Sequence, residues 1–408
     1  MSNLKRLNYI YINTLKIPAF QNIYELSRLT GISSRMLYCL SKNNVEYYKT
    51  FTILKKSGDP RTINAPLYSM AIIQKWILRN ILEKITPSNR AMAFRKGSEF
   101  GCKMNAKYHV GTLYGLSIDL ADFFTSIKSN KVYCLFRNLG YAETAATILT
   151  NICTLDGALP QGGVCSPTIS NLICITLDNR LIGMCEKRGI RYTRYADDMY
   201  FSCDNKDLLK KTFPKIKTAI EDQNFTINNN KTRYHTPSNR NQITGVVIVK
   251  TNQYEEYELK AKRKLKQSLR AEIHNAIMTG DYKNKGHILG IISYINFVEK
   301  ENSDNYLERI KEYIVKCANK IIFFEELIKA YNENLFFNNM EKIAYDKDQI
   351  VDFFKEEDSY LKLLDKRIER EAYLQKYHRD DICMYLDWPR GLDPNNNNDI
   401  GLMDDCPF

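Results

Sequence analysis

Strand-like and helix-like patterns alternate over about residues 50–250, and helical patterns follow them. Residues 51–66 predict a hairpin, because two β-rich runs flank a Ser-Gly-Asp-Pro turn and the second run ends at Pro66. Apolar residues at helical spacing predict a helix over 68–85. Residues 111–120 predict a strand, and residues 191–203 predict a strand, a tight turn and a second strand.

The later segments complete this pattern. Residues 166–188 predict a strongly apolar helix with Pro167 in its first turn, and residues 208–223 predict an amphipathic helix. A strand is expected over 243–249, and the pattern is helical from Leu259 onward. The order of elements therefore predicts a mixed α and β core at about 50–250, followed by a helical appendage.

Charge is distributed unevenly along the chain. The whole sequence carries a net charge of +12, whereas residues 331–408 carry 18 acidic and 10 basic side chains. The first 330 residues therefore hold a net charge of +20. An excess of this kind favours binding to a polyanion, although a solvated basic surface gives the same count.

The composition of the chain indicates the size of the protein and its cellular location. The 408 residues, of which 44% are apolar, are enough for two or three compact units. No apolar run approaches the roughly 18 residues that a membrane span needs, and the N-terminus does not resemble a signal peptide. The eleven cysteines are scattered without a Cys-x-x-Cys pair. We therefore expect a cytoplasmic protein without a membrane partner.

Two adjacent carboxylates, Asp197 and Asp198, mark the candidate chemistry. They lie in the tight turn predicted within 191–203, where their repulsion is costly unless a cation balances it. Asp119 ends the predicted strand 111–120, so all three acids meet if the strands are neighbours. Such a site suits two divalent metal ions. An Asp-Asp pair alone is more often a solvated turn, but its position between strands and the presence of Asp119 favour catalysis.

The ordered segments resemble the palm motifs of reverse transcriptases, and of bacterial retron enzymes in particular. The resemblance covers roughly residues 50–300. The five matching palm segments are 117–127 (motif A), 159–171 (motif B), 195–198 (motif C), 228–233 (motif D) and 243–249 (the start of motif E, the primer grip). Three further segments resemble retron enzymes: 89–100, the Asn-Ala-x-x-His pattern of 105–109, and Ile243-Thr244-Gly245 in place of Val-Thr-Gly.

This resemblance implies an α+β right-hand polymerase. Its palm would be an antiparallel sheet with helices, and its thumb would be helical, with the cations of 260–270 suited to phosphate contact. The expected units are an N-terminal helical region (1–50), fingers (51–110), palm (111–255), thumb (256–320) and an acidic C-terminal extension (321–408).

The resemblance also implies a role for individual residues. Catalysis would rest on Asp119, Asp197 and Asp198, which with the carbonyl of Leu120 would bind two Mg²⁺ ions, Mn²⁺ being a possible substitute. The implied nucleotide-binding residues are Lys55 (or its neighbour Lys56), Arg61, Phe124 as a steric gate against the ribose 2′-hydroxyl, Gln161, and Lys231. The implied RNA-binding residues are Asn105, His109, Ile243, Thr244 and Gly245.

Simpler interpretations remain open for three of these residues. Phe124 suits core packing, Lys231 suits an exposed surface, and a lone histidine such as His109 is more often a hydrogen-bonded structural residue than a ligand.

A retron enzyme would use deoxynucleotides to copy part of a structured noncoding RNA (msr–msd) into msDNA, starting from an RNA 2′-hydroxyl. It would act within an anti-phage defence system, with an effector protein contacting the C-terminal extension. The alternatives are another bacterial reverse transcriptase, such as a group II intron-like or abortive-infection-type polymerase, and a catalytically silent RNA-binding scaffold.

Overall fold

The computed structural model describes most of the first 317 residues. The described residues are 9–42, 44–54, 58, 60–237, 241–250, 257–279, 284–300 and 306–317. Lys55, Lys56 and the predicted C-terminal extension at 321–408 lie outside the described residues. Among the described residues, no helix combines the length and the apolarity that crossing a membrane requires.

Ten strands and fourteen α-helices make up the described part of the chain. The strands are β1 (Tyr48–Leu54), β2 (Pro60–Pro66), β3 (Tyr114–Ala121), β4 (Arg191–Tyr195), β5 (Asp198–Cys203), β6 (Thr226–Ile227), β7 (Arg233–His235), β8 (Asn241–Ile243), β9 (Val246–Lys250) and β10 (Tyr257–Ala261). The helices are α1 (Tyr9–Leu15), α2 (Ile23–Thr30), α3 (Ser34–Lys42), α4 (Tyr68–Asn80), α5 (Cys102–Tyr108), α6 (Phe123–Ser126), α7 (Ser129–Asn138), α8 (Glu143–Cys153), α9 (Ser166–Ile173), α10 (Ile175–Glu186), α11 (Lys206–Glu221), α12 (Arg263–Thr279), α13 (Lys285–Glu299) and α14 (Tyr306–Cys317).

The central sheet consists of strands β3 to β7. Its order is β4-β5-β3-β6, and β7 also pairs with β3. All these pairings are antiparallel. Strand β3 therefore lies inside the sheet, with β5 on one side and β6 and β7 on the other.

Side chains alternate between the two faces of β3. Leu116, Ile118 and Leu120 are at most 2% exposed and belong to the main hydrophobic core. Helix α11 packs against β3 and β5, and α10 packs against β4. Because successive residues of a strand point to opposite faces, Ser117 and Asp119 lie on the other face.

The predicted strand over 243–249 is correct only from Val246 onward, because the chain turns near its start. Strands β8 and β9 form a hairpin whose central residues are Thr244 and Gly245. Both have positive φ, 44° and 91° respectively. This is the backbone that a tight two-residue hairpin turn requires, and glycine adopts it without steric cost. Because apolar residues lie on both sides of this turn, the sequence pattern resembled one continuous strand.

Two helix boundaries also differ from the prediction. Residues Tyr257–Ala261 form strand β10, which pairs with β9, and helix α12 begins only at Arg263. Leu259 and Ala261 are buried there with the period of two that a strand gives. The predicted helix 166–188 divides into α9 and α10 at Cys174, whose ψ is −1°.

Helices α12, α13 and α14 share a second hydrophobic core in the predicted thumb. It includes Leu269, Ile273, Ile288 and Ile295, which are at most 3% exposed. Separate cores are typical of units that fold around their own apolar contacts.

A buried ion pair links β4 to α10. Arg194 and Asp178 are both fully buried, with 2.7 Å between Nη2 and Oδ2 and 2.9 Å between Nε and Oδ1. Tyr192 donates a third hydrogen bond to Asp178, at 2.8 Å. Arg194 also donates to the side-chain oxygen of Asn171 at 3.0 Å. The pair therefore satisfies its polar atoms within the core.

Replacing Asp178 by alanine should lower the free energy of unfolding by about 3–5 kcal/mol, because Arg194 would remain buried without a counter-charge. Chemical denaturation measures this. The double variant Arg194→Met with Asp178→Leu should lose much less, since neither charge remains. Equal losses in the single and double variants would contradict this account of the pair.

Candidate active site

The register between β3 and β5 brings the predicted catalytic residues together. Asp119 lies directly opposite Asp198 in the antiparallel ladder. The backbone N–H of Leu120 donates to the carbonyl of Asp197 at 3.1 Å. All three carboxylates therefore meet at one end of the central sheet, while the side chain of Leu120 is buried in the core.

A two-residue turn presents Asp197. Tyr195 pairs with Asp198 across the β4–β5 hairpin, which leaves Ala196 and Asp197 as the turn. Ala196 has a φ of 58°, in the left-handed region that alanine rarely adopts. The Arg194 guanidinium donates to the carbonyl of Ala196 at 3.3 Å. The buried ion pair thus also stabilises the strained turn.

The carboxylates repel one another. Burial, followed by the charges of Asp197 and Asp119, raises the pKa of Asp198 to about 6, although this residue keeps part of its surface in solvent. The pKa of Asp197 is also raised, mainly by burial and then by Asp119. The charges of Lys231 and Arg61 oppose that rise. The site therefore favours a bound cation.

Lys231 partly neutralises the site. Its Nζ lies 3.1 Å and 3.0 Å from the two carboxylate oxygens of Asp119. Asn228 anchors the same residue, with its backbone N–H 2.8 Å from the Asp119 carbonyl and Nδ2 3.3 Å from Oδ2. The Lys231 side chain is 62% exposed against 12% for Asp119, so the lysine can leave while the aspartate stays in place.

The donor chemistry of the three aspartates fits divalent metal ions. Carboxylate oxygens on an accessible surface, with room for water and phosphate, are what Mg²⁺ prefers. Within the described ranges, no three metal-ligating side chains are already close enough to hold an ion. Asp119 faces Lys231 instead, so a metal ion would compete with this lysine for the Asp119 carboxylate.

The loop that follows Leu159 packs against the predicted fingers hairpin. The carbonyl of Gln161 accepts a hydrogen bond from the Asn64 N–H at 2.8 Å. Gly162 has a φ of 124°, and a Cβ atom there would lie 2.7 Å from the carbonyl oxygen of Asn64. Only glycine permits this approach. The hairpin strand β2 also carries Arg61, which is exposed.

Phe124 is half-buried and lies among other aromatic rings. Its centroid is 5.4 Å from that of Phe123 and 6.3 Å from that of Phe94. It follows Asp119 by five residues, in the short helix α6. The structure thus combines packing on one side with exposure on the other, and the steric-gate role remains a prediction.

Asn105 and His109 are interior residues, 1% and 0% exposed respectively. Both ring nitrogens of His109 lie 2.7 Å from a hydroxyl oxygen, Nδ1 from Ser202 and Nε2 from Thr193. Neither side chain reaches the outer surface, and both ring nitrogens of His109 are already engaged, so any role of His109 in RNA binding is indirect in this conformation. The structural interpretation of His109 is the one that its geometry supports.

The three remaining residues with an implied RNA contact lie on the β8–β9 hairpin. Ile243 is 2% exposed, and Thr244 and Gly245 are half-buried in the turn. Thr244 accepts a hydrogen bond from Asn105 Nδ2 at 3.3 Å. The hairpin is therefore attached to α5, which also contacts β4 of the central sheet.

A cleft of about 310 Å³ opens between the central sheet and this hairpin. It is bounded by two of the three predicted catalytic carboxylates, by basic side chains and by the hairpin turn. Its lining includes Asp119, Asp198, Lys231, Arg233, Asn105 and Thr244. The cleft is large enough for a small ligand or part of a larger one.

Comparison with known proteins decides the family. Residues 53–291, more than half of the chain, match the family model for reverse transcriptase (RNA-dependent DNA polymerase). The Retron Ec86 reverse transcriptase of Escherichia coli is 33% identical over 322 residues, which are 78% of this chain and 97% of that relative. The chain belongs to the retron-type reverse transcriptases. It is an RNA-directed DNA polymerase.

A second retron relative agrees with this assignment. The Retron Mx65 reverse transcriptase of Myxococcus xanthus is 28% identical over 318 residues, 72% of each chain. Among solved structures, telomerase from Candida albicans matches with a TM-score of 0.40 and 11% identity over 74% of this chain and 65% of that one. The family model and the Ec86 relative confirm the resemblance to retron enzymes and, with it, the α+β right-hand fold class. The domain limits and the residue roles remain predictions.

Sequence reasoning missed residues that support the reverse transcriptase site. Gln74 is fully buried, accepts from Val164 N–H at 3.0 Å, and donates to Tyr48 at 2.6 Å, so it fixes the loop after Leu159. The buried pair of Arg194 and Asp178 stabilises the turn at Ala196 from the interior. A polar residue inside an apolar helical pattern, as at Gln74 and Asp178, was the available signal.

His109 should make the stability of this reverse transcriptase depend on pH. Burial, with smaller contributions from Arg191 and Arg90, lowers the pKa of His109 to about 3. The unfolded chain takes up a proton near pH 6.5 and the folded chain does not, so stability falls as pH falls below about 6.5. We expect a loss of about 2 kcal/mol between pH 7.5 and pH 5 from this group.

Denaturation of a His109→Gln variant at both values of pH measures this contribution, because glutamine does not titrate. The same replacement at the exposed His274 controls for the substitution itself. An unchanged slope in the His109 variant would contradict the assignment.

Gly162→Ala should displace the loop after Leu159 from β2, because the new Cβ would meet the Asn64 carbonyl at 2.7 Å. We expect a lower melting temperature and a higher KM for deoxynucleotides. Gly183→Ala is the matched control, since a Cβ there meets no atom within 4 Å and alanine favours the helix. Wild-type behaviour of both variants would show that the close approach is not needed.

Proposed function

We propose that this enzyme copies part of a structured noncoding RNA (msr–msd) into msDNA by two-metal nucleotidyl transfer, starting from an RNA 2′-hydroxyl. The observation that carries the proposal is the register that sets Asp119 opposite Asp198, beside Asp197. The retron relatives support the choice of RNA and product, because they match most of this chain.

The three aspartates would hold two Mg²⁺ ions, with Mn²⁺ as a possible substitute, and the carbonyl of Leu120 would assist. The ions supply activation of the priming hydroxyl and neutralise charge on the triphosphate. Oxygen ligands suit either of these hard cations.

The surrounding side chains have separate tasks in the proposal. Arg61, with Lys55 beyond the described residues, would bind the triphosphate of the incoming deoxynucleotide. Lys231, once released from Asp119, would donate a proton to the leaving pyrophosphate. Gln161 would contact the nucleotide or template, and Phe124 would exclude a ribose 2′-hydroxyl. Ile243, Thr244 and Gly245 would hold the priming strand.

The wider setting of the proposal follows from the family. We infer a role in anti-phage defence in the bacterial cytoplasm, together with an effector protein that contacts the C-terminal extension. The net charge of −8 over residues 331–408 is opposite to that of the rest of the chain, which favours a protein contact over an RNA contact for that segment.

A primer-extension assay with Mg²⁺ tests the catalytic assignment. Asp119→Asn, Asp197→Asn and Asp198→Asn should each reduce incorporation by more than about a hundredfold, because even residues behind metal ligands cost 10–100-fold. Asp122→Asn is the matched control. Asp122 is exposed, and its φ of 47° suits asparagine equally well, so we expect near-normal extension.

Wild-type incorporation by all three variants would overturn the metal site and favour a silent RNA-binding scaffold. The retron product is tested separately by isolating nucleic acid that copurifies with the enzyme. Sensitivity to both RNase and debranching enzyme is expected for msDNA. Linear DNA without an RNA branch would instead indicate another class of bacterial reverse transcriptase.

A further inference from the structure

The side-chain oxygen of Asn105 accepts no hydrogen bond from any described residue. The residue lies in α5 and is 1% exposed. Among the described residues, no donor reaches its Oδ1 atom. A buried acceptor without a partner destabilises the folded state, so such an atom in a site points to a donor on a bound molecule.

Hydrogen bonds fix which end of the amide is unpaired. The Thr244 hydroxyl donates to the carbonyl of Cys102 at 3.4 Å, so its proton is engaged. Its oxygen can then only accept from Asn105, which requires that Nδ2 face Thr244 at 3.3 Å. Oδ1 is therefore the free end.

His109 helps to fix the position of this asparagine. The two residues are four apart in sequence, so they share a side of α5. The ring of His109 binds Ser202 on β5 and Thr193 on β4, which attaches the end of α5 to the central sheet. Asn105 is thereby held one turn earlier, facing the hairpin that carries Thr244.

The position of Asn105 indicates what it meets. It lines the same cleft as Asp119 and Asp198, together with Lys231 and Arg233. A phosphate has no proton to donate at neutral pH, and the two cations suit it better than an amide oxygen does. The group that meets Oδ1 must be a donor. Beside the three aspartates, the nucleotide at the priming end would offer such a donor in its sugar hydroxyls.

We propose that Asn105 is a specificity-determining residue, whose Oδ1 accepts a hydrogen bond from a ribose hydroxyl of the nucleotide at the priming end. The proposal rests on the RNA-primed synthesis given above. It assigns to Asn105 a preference for a ribonucleotide over a deoxyribonucleotide at that end. The burial of the residue is then compatible with RNA recognition, since a single hydroxyl enters the cleft.

Primers that differ in one atom test this directly. Each primer ends in a nucleotide with a free 3′-hydroxyl and carries OH, NH₂, F or H at the 2′-position, on a common RNA template. Hydroxyl and amino groups donate a hydrogen bond, whereas fluorine and hydrogen do not. Wild-type enzyme should extend the first two with a kcat/KM about three- to tenfold higher than the last two.

Two variants of Asn105 separate the acceptor from general packing. The Asn105→Leu variant has a side chain of similar size without an acceptor. It should therefore extend all four primers with the same kcat/KM. Asn105→Asp keeps an oxygen at that position and should retain the preference, even where its charge slows extension as a whole. The ratio between primers is the readout, because a purely structural defect lowers every rate alike.

The results of these assays distinguish failure of this inference from failure of the proposed function. A hydroxyl preference that survives Asn105→Leu would overturn the inference, and so would extension of all four primers at one rate by wild-type enzyme. Both results would leave the polymerase function intact. Failure of wild-type enzyme to extend any primer would instead overturn the proposed function, and this inference with it.

Discussion

The register between β3 and β5 is the constraint on which the site depends. A slip of one residue would send Asp119 to the face where Leu116, Ile118 and Leu120 are buried, and would bring apolar side chains to the cleft. The hydrophobic core below the sheet opposes such a slip. The packing of this hydrophobic core therefore also fixes the positions of the three carboxylates, and no separate structural element is needed to hold them.

Holding these acids together works against folding. The raised pKa values of Asp197 and Asp198 show that each is less stable as an anion here than in water. Lys231 relieves part of this repulsion through Asp119, and the Arg194–Asp178 pair supports the turn at Ala196 from the interior. Retaining strained, charged positions of this kind is typical of sites selected for function.

Local patterns predicted much of the fold. The hairpin β1–β2, helix α4 and the strand–turn–strand around Asp197 follow from apolar spacing and turn residues close in sequence. The turn at Thr244-Gly245 did not, because the apolar residues on both sides read as one strand. The burial of His109 and the contact between Lys231 and Asp119 depend on elements that meet only after folding, about 90 and 110 residues apart in sequence.

A structure with manganese most directly tests whether the three aspartates form the metal site. Crystals of the enzyme with a primer–template, a non-hydrolysable deoxynucleotide and Mn²⁺ would locate the ions by anomalous scattering. The account predicts two peaks between Asp119 and the Asp197–Asp198 turn, with Lys231 moved away from Asp119. Manganese bound elsewhere, with the Lys231–Asp119 pair intact, would contradict it.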